Sequence, residues 1–374
     1  MRVLQIISST GFYGAESMMV SLSSALVVRG CQVDTGVLDL NQMSATDQAV
    51  LCERCVGTVQ DFRYRGLIDI GAIRRLTKFI KSQAIDIVHC HGYKADILGF
   101  LAARATNCRV IATCHNWTRA TASLTRYSQL DLKVLRYFDC VVAVSDSVEA
   151  QLLQARVPRA KVHRIDNGID VSAYNNELSS PTASTGLVLG VVSRLSTEKG
   201  LDVLLRALPQ VFAIYPSLVC RVVGQGAQHS ALLNLAREMQ IENHIHFEGF
   251  HSDIRAFLSE CTLIALPSRT EGTPLAVLEA MAARRPVIAS AVGNVPHILL
   301  EGAAGLLVPP ENPDELARGI MALLSDANLR DRLAARAHEH VVSNFDQESM
   351  AERYLDIYKD ICSAFPIAMT RQYQ

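Results

Sequence analysis

The feature that most constrains this chain is an alternation that runs through it twice. Short apolar runs bounded by turn residues stand at 3–7, 32–38, 87–90, 110–113 and 140–144, and again at 187–192, 218–223, 244–247, 263–266 and 286–289. Between them lie segments such as 15–29, 201–215 and 227–239, whose apolar residues recur near i, i+3, i+4 and i+7, the spacing of a helix face. Strands that are apolar throughout must be covered on both faces, and a helix between successive strands returns the chain for parallel pairing. The pattern predicts an α/β protein of two doubly wound, Rossmann-like domains facing a central cleft, with the carboxyl ends of both sheets lining it. Length agrees, because 374 residues exceed the roughly 250 to 300 at which a single core stops growing.

The expected boundaries follow the two series. A first domain covers 1–169, and the polar segment 170–185, with Pro181 and no apolar period, reads as the linker. A second domain covers 186–345, and 346–374 is a C-terminal helix expected to cross back to the first domain. A net charge of −1 with 20% charged residues lacks the basic field of a nucleic-acid binder, so no nucleic acid is expected as partner. The charge is uneven, with 20 Lys and Arg against 16 Asp and Glu in residues 1–178 and 16 against 21 in the rest, which makes the first half the better candidate for contact with an anionic surface. The ten cysteines are scattered and several sit inside apolar runs, the usage of reduced thiols in a cytosolic protein. No stretch reaches the roughly 20 apolar residues of a membrane span, and the first apolar run is too short for a signal peptide. A cytoplasmic protein is expected, free or at the inner face of the membrane.

The chemistry concentrates in Ser268-Arg-Thr-Glu-Gly-Thr-Pro-Leu-Ala-Val-Leu-Glu-Ala-Met-Ala282, where two carboxylates flank a Gly-Thr-Pro break after a buried strand. Thr273 suits an N-cap and Pro274 the first turn of a helix. Such a start offers backbone N–H groups and a positive dipole end to a phosphate. Glu279, less than two turns in, leans back toward that start and can reach the vicinal hydroxyls of a ribose. Glu271, just before the turn, suits a second polyol, and a phosphate flanked by two polyols describes a nucleotide sugar. On spacing alone, a solvated Glu271 and a Glu279 engaged in a helix salt bridge fit as well. The loop Gly190-Val-Val-Ser-Arg-Leu-Ser-Thr-Glu-Lys-Gly200 adds Arg194, a planar fork for phosphate oxygens, and Lys199, a mobile point charge.

These residues, with Gly224-Gln-Gly226 after a strand, follow the order and spacing of the retaining glycosyltransferases of family 4, which the chain resembles over nearly its whole length and which are built on the GT-B fold. Gly11-Phe-Tyr-Gly-Ala-Glu16 looks like the family's glycine loop, His115 in Thr-Cys-His-Asn matches its active-site histidine, and Asn167-Gly-Ile-Asp170 matches the segment before its linker. The resemblance implies that Arg194 and Lys199 bind the donor diphosphate, Glu271 the donor sugar and Glu279 the ribose. It places the backbone of Gly272, Thr273, Pro274 and Leu275 near the phosphates, with Gly14 and Gly224 approaching the donor closely and His115 orienting the transferred sugar. It further implies a hexosyltransferase that needs no metal or other cofactor and takes its sugar from a nucleoside diphosphate, UDP rather than GDP. The acceptor would be a hydroxyl of a glycan or lipid-linked saccharide, as in cell-surface polysaccharide biosynthesis. Asn294 and His297, where the family often has Gly and Glu, and Asp166, where it often has Pro, depart from the pattern. The alternatives are a non-catalytic nucleotide-sugar binder and a sugar-nucleotide epimerase or phosphorylase on the same fold.

Other motifs carry less. Gly224-Gln-Gly226 lacks the third glycine of a dinucleotide fingerprint, and no P-loop is present. Cys52-Glu-Arg-Cys55 is a lone CxxC, where zinc sites usually need two pairs, and His89-Cys-His91 has no third ligand in sequence. Asp96 is a candidate base toward the same cleft. The stretch 118–137 sets four basic residues against one acid with helical apolar spacing, which suits peripheral contact with anionic membrane or a helix packed on its own sheet.

Overall fold

The computed structural model describes residues 1–8, 11–66, 68–115, 122–177 and 186–363, the side chains of 122–126 and 175–177 excepted. It divides into two compact units, one formed by Met1–Gly168 with Gln347–Gln374 and the other by Ile169–Asp346.

The first unit alternates without interruption: β1 (Arg2–Ile7), α1 (Gly14–Val28), β2 (Gln32–Val37), α2 (Ala45–Arg54), β3 (Val59–Asp61), α3 (Ile70–Ser82), β4 (Ile87–His91), α4 (Tyr93–Thr106), β5 (Arg109–Cys114), α5 (Ala122–Val134), β6 (Cys140–Ala143), α6 (Asp146–Gln154) and β7 (Val162–Arg164). Its seven strands pair in parallel in the order β3-β2-β1-β4-β5-β6-β7. Every residue of β4 and β6 is buried, which is what covering both faces of the sheet demands.

The second unit repeats the plan with β8 (Val188–Val192), α7 (Leu201–Ile214), β9 (Val219–Val223), α8 (His229–Glu238), β10 (Ile245–Gly249), α9 (Arg255–Glu260), β11 (Leu263–Leu266), α10 (Leu275–Ala282), β12 (Val287–Ser290), α11 (Val295–Ile298), β13 (Leu306–Val308), α12 (Pro313–Ser325) and α13 (Ala327–Asn344). Its order is β10-β9-β8-β11-β12-β13, again all parallel. In each sheet the winding reverses once, between β1 and β4 and between β8 and β11, and the crevice outside the strand ends at such a reversal is where these sheets bind ligands.

The last described helix, α14 (Gln347–Ser363), belongs to the first unit. It packs against α1, with Arg29 bridging to Glu348 and Glu352, and it buries Tyr354 and Tyr358 completely.

Three strands escaped the sequence reading, and β3, β7 and β13 share one reason. Each is a three-residue strand at the edge of its sheet, too short to show a period and only partly buried. The expected linker also needs correction at its start. Val171–Glu177 forms a short 3-10 helix in the second unit that packs on α9 and α10, with Val171 and Tyr174 buried. Residues 178–185 lie outside the described residues.

Candidate active site

The second unit gathers most of the expected residues around the reversal between β8 and β11. Lys199 ends a short 3-10 turn after β8, and its Nζ lies 2.7 Å from Oε1 of Glu271, the loop carboxylate after β11. The Ser268 hydroxyl donates to the same oxygen at 2.7 Å, and Glu271 is only 7% exposed, which excludes the solvated reading. A buried carboxylate holding a cation and a hydroxyl is strongly oriented, since bonds to an ionised group are about twice as strong as neutral ones.

Arg194 does not stand open on the loop. Its guanidinium donates to Glu198 at 2.9 Å, and Ser196 donates to the same oxygen at 2.7 Å. Burial works to raise Glu198, but the Ser196 hydroxyl, a backbone N–H and the cations of Arg194 and Lys199 outweigh it and hold the carboxyl below its ordinary value. The two loops are stapled together by Arg269, which donates to Asp202 at 2.8 Å through two nitrogens, to the Thr197 carbonyl at 2.6 Å, and to Glu311.

Glycines set the close approaches here. Gly200 has φ +63°, and a Cβ on it would lie 2.1 Å from the Pro267 carbonyl oxygen, so the lysine loop rests directly on the strand that feeds Glu271. Gly224 has φ +135°, and a Cβ would meet the Ser193 oxygen at 1.9 Å; here the β8 and β9 loops are zipped by Ser193 N–H to Val223 and Leu195 N–H to Gln225.

The helix start is corrected in one respect. Helix α10 begins at Leu275, and Pro274, in extended backbone, occupies the N-cap position expected of Thr273. The cause is a competing partner, because Asn294 donates to the Thr273 hydroxyl at 3.2 Å while its backbone N–H reaches the Gly272 carbonyl at 3.3 Å. Asn294 is buried, so this departure from the family pattern clamps the 271–273 loop. The N–H groups of Leu275 and Ala276 still have no partner within the helix and point toward its start. Glu279 meets the Tyr174 hydroxyl, whose titration is raised by burial and by the Glu279 charge. Spacing gave no signal for Tyr174, which stands 105 positions away in the segment read as linker.

The first unit holds its expected residues at the reversal between β1 and β4. Gly14 opens α1, and a Cβ there would meet nothing within 4 Å. The loop before it is fixed by Tyr13 N–H donating to the buried Glu16 at 2.9 Å and Phe12 N–H to Asp47 at 3.2 Å. His115, just beyond β5, is half-buried, with its Nε2 3.2 Å from Nδ1 of His91 at the end of β4. His91 Nε2 lies 2.7 Å from the Gln5 carbonyl oxygen, and His89 bridges the Tyr358 hydroxyl and Thr113 at 2.7 Å each. Burial lowers His115 to about 4 and His89 to about 3, and with its two neighbouring imidazoles it lowers His91 well below its ordinary value. The three rings are neutral hydrogen-bonding groups at physiological pH.

The set-aside motifs resolve individually. His89 and His91 are buried network members, and among the described residues no three His, Cys, Asp or Glu gather to hold a metal ion. All ten cysteines are free, Cys52 exposed and Cys55 partly buried. Asp96 is 1% exposed, and burial together with the facing Asp131 raises it far above an ordinary carboxyl, so it is no solvent-facing base. Of the 118–137 stretch, 118–121 and the side chains of 122–126 lie outside the described residues. In the remainder Ser128 and Asp131 are buried while Lys133 and Tyr137 are exposed. Among the described residues no helix is long and apolar enough to cross a membrane.

Two parallel doubly wound α/β units are the architecture of the GT-B glycosyltransferases. HepE from Anabaena, crystallised with UDP-glucose, superposes with a TM-score of 0.83 at 22% identity over 96% of this chain and 100% of its own. Sucrose-phosphate synthase from Thermosynechococcus elongatus gives 0.81 at 20% identity over 98% and 100%. Residues 12–173 match the family described as Glycosyltransferase Family 4, and residues 176–340 match Glycosyl transferases group 1. The chain belongs to this glycosyltransferase family. Relatives in sequence include a phosphatidyl-myo-inositol mannosyltransferase of Mycolicibacterium smegmatis, 28% identical over 78% of this chain and 75% of that protein. A glycogen synthase of Mycobacterium tuberculosis is 25% identical over 73% and 68%.

Proposed function

We propose that this glycosyltransferase moves a hexosyl group, with retention and without a metal ion, from a UDP-sugar to a hydroxyl of a glycan or lipid-linked saccharide. The observation that carries the reading is the contact between Lys199 and buried Glu271 beside the start of α10. In this reading Lys199 and Arg194, with the first N–H groups of α10, neutralise the charge that builds on the departing diphosphate. Glu271 is already desolvated and oriented for sugar hydroxyls, and Glu279 takes the ribose. Gly14 leaves room for the donor at the mouth of α1. UDP is favoured by the HepE complex, and a glycan or glycolipid acceptor by the relatives that make glycogen and phosphatidylinositol mannosides. The enzyme works in the cytoplasm at the inner face of the membrane, where the basic stretch 118–137 meets anionic lipid; co-sedimentation with anionic vesicles at low salt tests that contact, and its absence removes it.

Calorimetric titration of UDP, GDP and ADP against the wild type and Glu279→Ala tests the donor site. One nucleoside diphosphate should bind, and the variant should lose about 1 to 3 kcal/mol, the cost of hydrogen bonds to a charged group. Binding of none ends the reading. Hydrolysis of the matching nucleotide sugar with an α product from an α donor, unaffected by a chelator, supports retention and metal independence; an inverted product overturns the first.

A further inference from the structure

One surface of the first unit carries charge of a single sign. Residues 62–85 hold six cations, Arg63, Arg65, Arg74, Arg75, Lys78 and Lys81, against one acid, Asp69. That acid is already engaged as the N-cap of α3, accepting from the Ala72 N–H through Oδ1 and from the Arg65 N–H through Oδ2, at 3.0 Å each. On α3, Ile70, Arg74, Lys78 and Lys81 stand at i, i+4, i+8 and i+11, an exposed stripe opposite the buried Ala72, Leu76 and Ile80. Other surface helices pair their cations within the helix, Arg318 with Glu315, Arg336 with Glu339 and Lys359 with Asp356. Among the described residues Arg74, Lys78 and Lys81 form no ion pair, and like charges at i, i+4 disfavour the helix that carries them. With Ile73, Thr77 and Ala105 they line an open depression of about 670 Å³ where α3 meets α4. At the head of the stripe Ile68 and Ile70, on either side of the cap, are 53% and 63% exposed.

We propose that this face of α3, with Ile68 and Ile70, docks the first unit on an anionic lipid bilayer. Both halves of the surface enter the assignment. The row of cations suits a plane of phosphates, where each Lys or Arg adds to the attraction. A polyanion such as RNA would meet the cations but leave the two isoleucines in water, whereas a bilayer offers hydrocarbon just beneath its headgroups. The opposite face of α3 is committed to the core, so α3 stays packed on α4 while Ile68 and Ile70 enter the interface. This contact rests on the reading of an enzyme at an anionic membrane and is separate from the 118–137 stretch, since α4 packs against both α3 and α5.

Co-sedimentation of the full-length protein with vesicles of phosphatidylglycerol and phosphatidylcholine at low salt tests the contact, with pure phosphatidylcholine vesicles and a homopolymer RNA as the other surfaces. The wild type should partition onto the anionic vesicles only. The triple variant Arg74→Gln, Lys78→Gln, Lys81→Gln should lower that partition by about a hundredfold, the combined effect of three cations at an anionic surface. The double variant Ile68→Ser, Ile70→Ser should lower it by about tenfold, through loss of the apolar part of the contact. Arg318→Gln with Arg336→Gln, on the second unit, should bind as the wild type does. Thermal melts and hydrolysis of the nucleotide sugar, read beside each variant, should be unchanged by these surface substitutions. Binding that survives both the glutamine and the serine substitutions overturns the proposal and leaves 118–137 as the membrane contact. If only the glutamines lower binding and RNA is held as tightly as vesicles, the face is a polyanion site and a lipid partner is overturned. A wild type that binds no anionic vesicle ends this contact and that of 118–137 together, while its hydrolysis of the nucleotide sugar keeps the transferase reading in place.

Discussion

The two units solve the burial of polar groups in opposite ways. In the second, charge is kept and paired: Lys199 with Glu271, Arg194 with Glu198, Arg269 with Asp202 and Glu311. In the first, neutral imidazoles, an amide and a hydroxyl on the sheet are joined by hydrogen bonds to one another and to two phenols of α14. The difference teaches what each site is for. Paired charges at loop tips can exchange partners with an incoming anion, whereas a neutral network locked by three sheet strands and a helix fixes direction and shape.

The largest effect expected from breaking this contrast is on turnover. Lys199→Ala removes the cation proposed to meet the charge on the departing diphosphate and should lower kcat by about 10² to 10³, as loss of such a group commonly does. Gln5→Met in the other unit should cost far less. Comparable losses in steady-state kinetics would erase the distinction between a charge that stabilises and a network that positions.

The next effect is on acid stability. His89 and His115 have folded values of about 3 and about 4, below their ordinary 6.5, and His91 is lowered as well. Their contribution is therefore present above pH 6.5 and is lost as pH falls from there through the folded values. The raised carboxyl of Asp96 acts oppositely, since its contribution is full below 3.8 and is lost as pH rises through its folded value. Three imidazoles against one carboxyl leave a net loss on acidification. Hydrogen exchange at pH 5 should show β4 and β5 losing protection before β8 and β11, and Asp96→Asn should steepen that loss. Equal loss in both units would contradict the contrast.

Glycines offer a smaller and sharper test. Gly200→Ala places a Cβ against the Pro267 carbonyl at positive φ and should destabilise by about 1 to 3 kcal/mol in denaturant melts. Gly14→Ala meets nothing and should not destabilise, yet it narrows the space at the start of α1 and should raise the KM for donor. Smallest of all, Tyr174→Phe removes one hydroxyl from Glu279. It should weaken nucleoside diphosphate binding by about 0.5 to 1.5 kcal/mol, read by calorimetry.

The alternation of apolar runs and helical segments made both sheets legible, because a strand covered on both faces must be apolar along its length. The edge strands were not legible, since three residues on the rim of a sheet carry no such requirement. Within the candidate site, Lys199, Glu271 and Glu279 were singled out by the order of charges around a turn. Their partners were not: Ser268 is an ordinary small residue, and Arg269 reads as surface charge until its reach to Asp202 and Glu311 is seen. Tyr174 was hidden by the polar residues around it, and Thr273 was assigned a cap because its competitor, Asn294, lies 21 positions away. Long-range hydrogen bonds leave no periodic trace.

Helix α14 carries a consequence for biogenesis. It supplies Tyr354 and Tyr358 to the interior of the first unit, yet a ribosome makes it only after every residue of the second unit. The unit translated second is thus contiguous and complete before the one translated first. Until the final turns emerge, the nascent protein holds a finished second unit and a first one whose His89 and Thr113 still await their phenolic partners, a window in which a stalled or truncated chain would present unfilled polar positions to quality control.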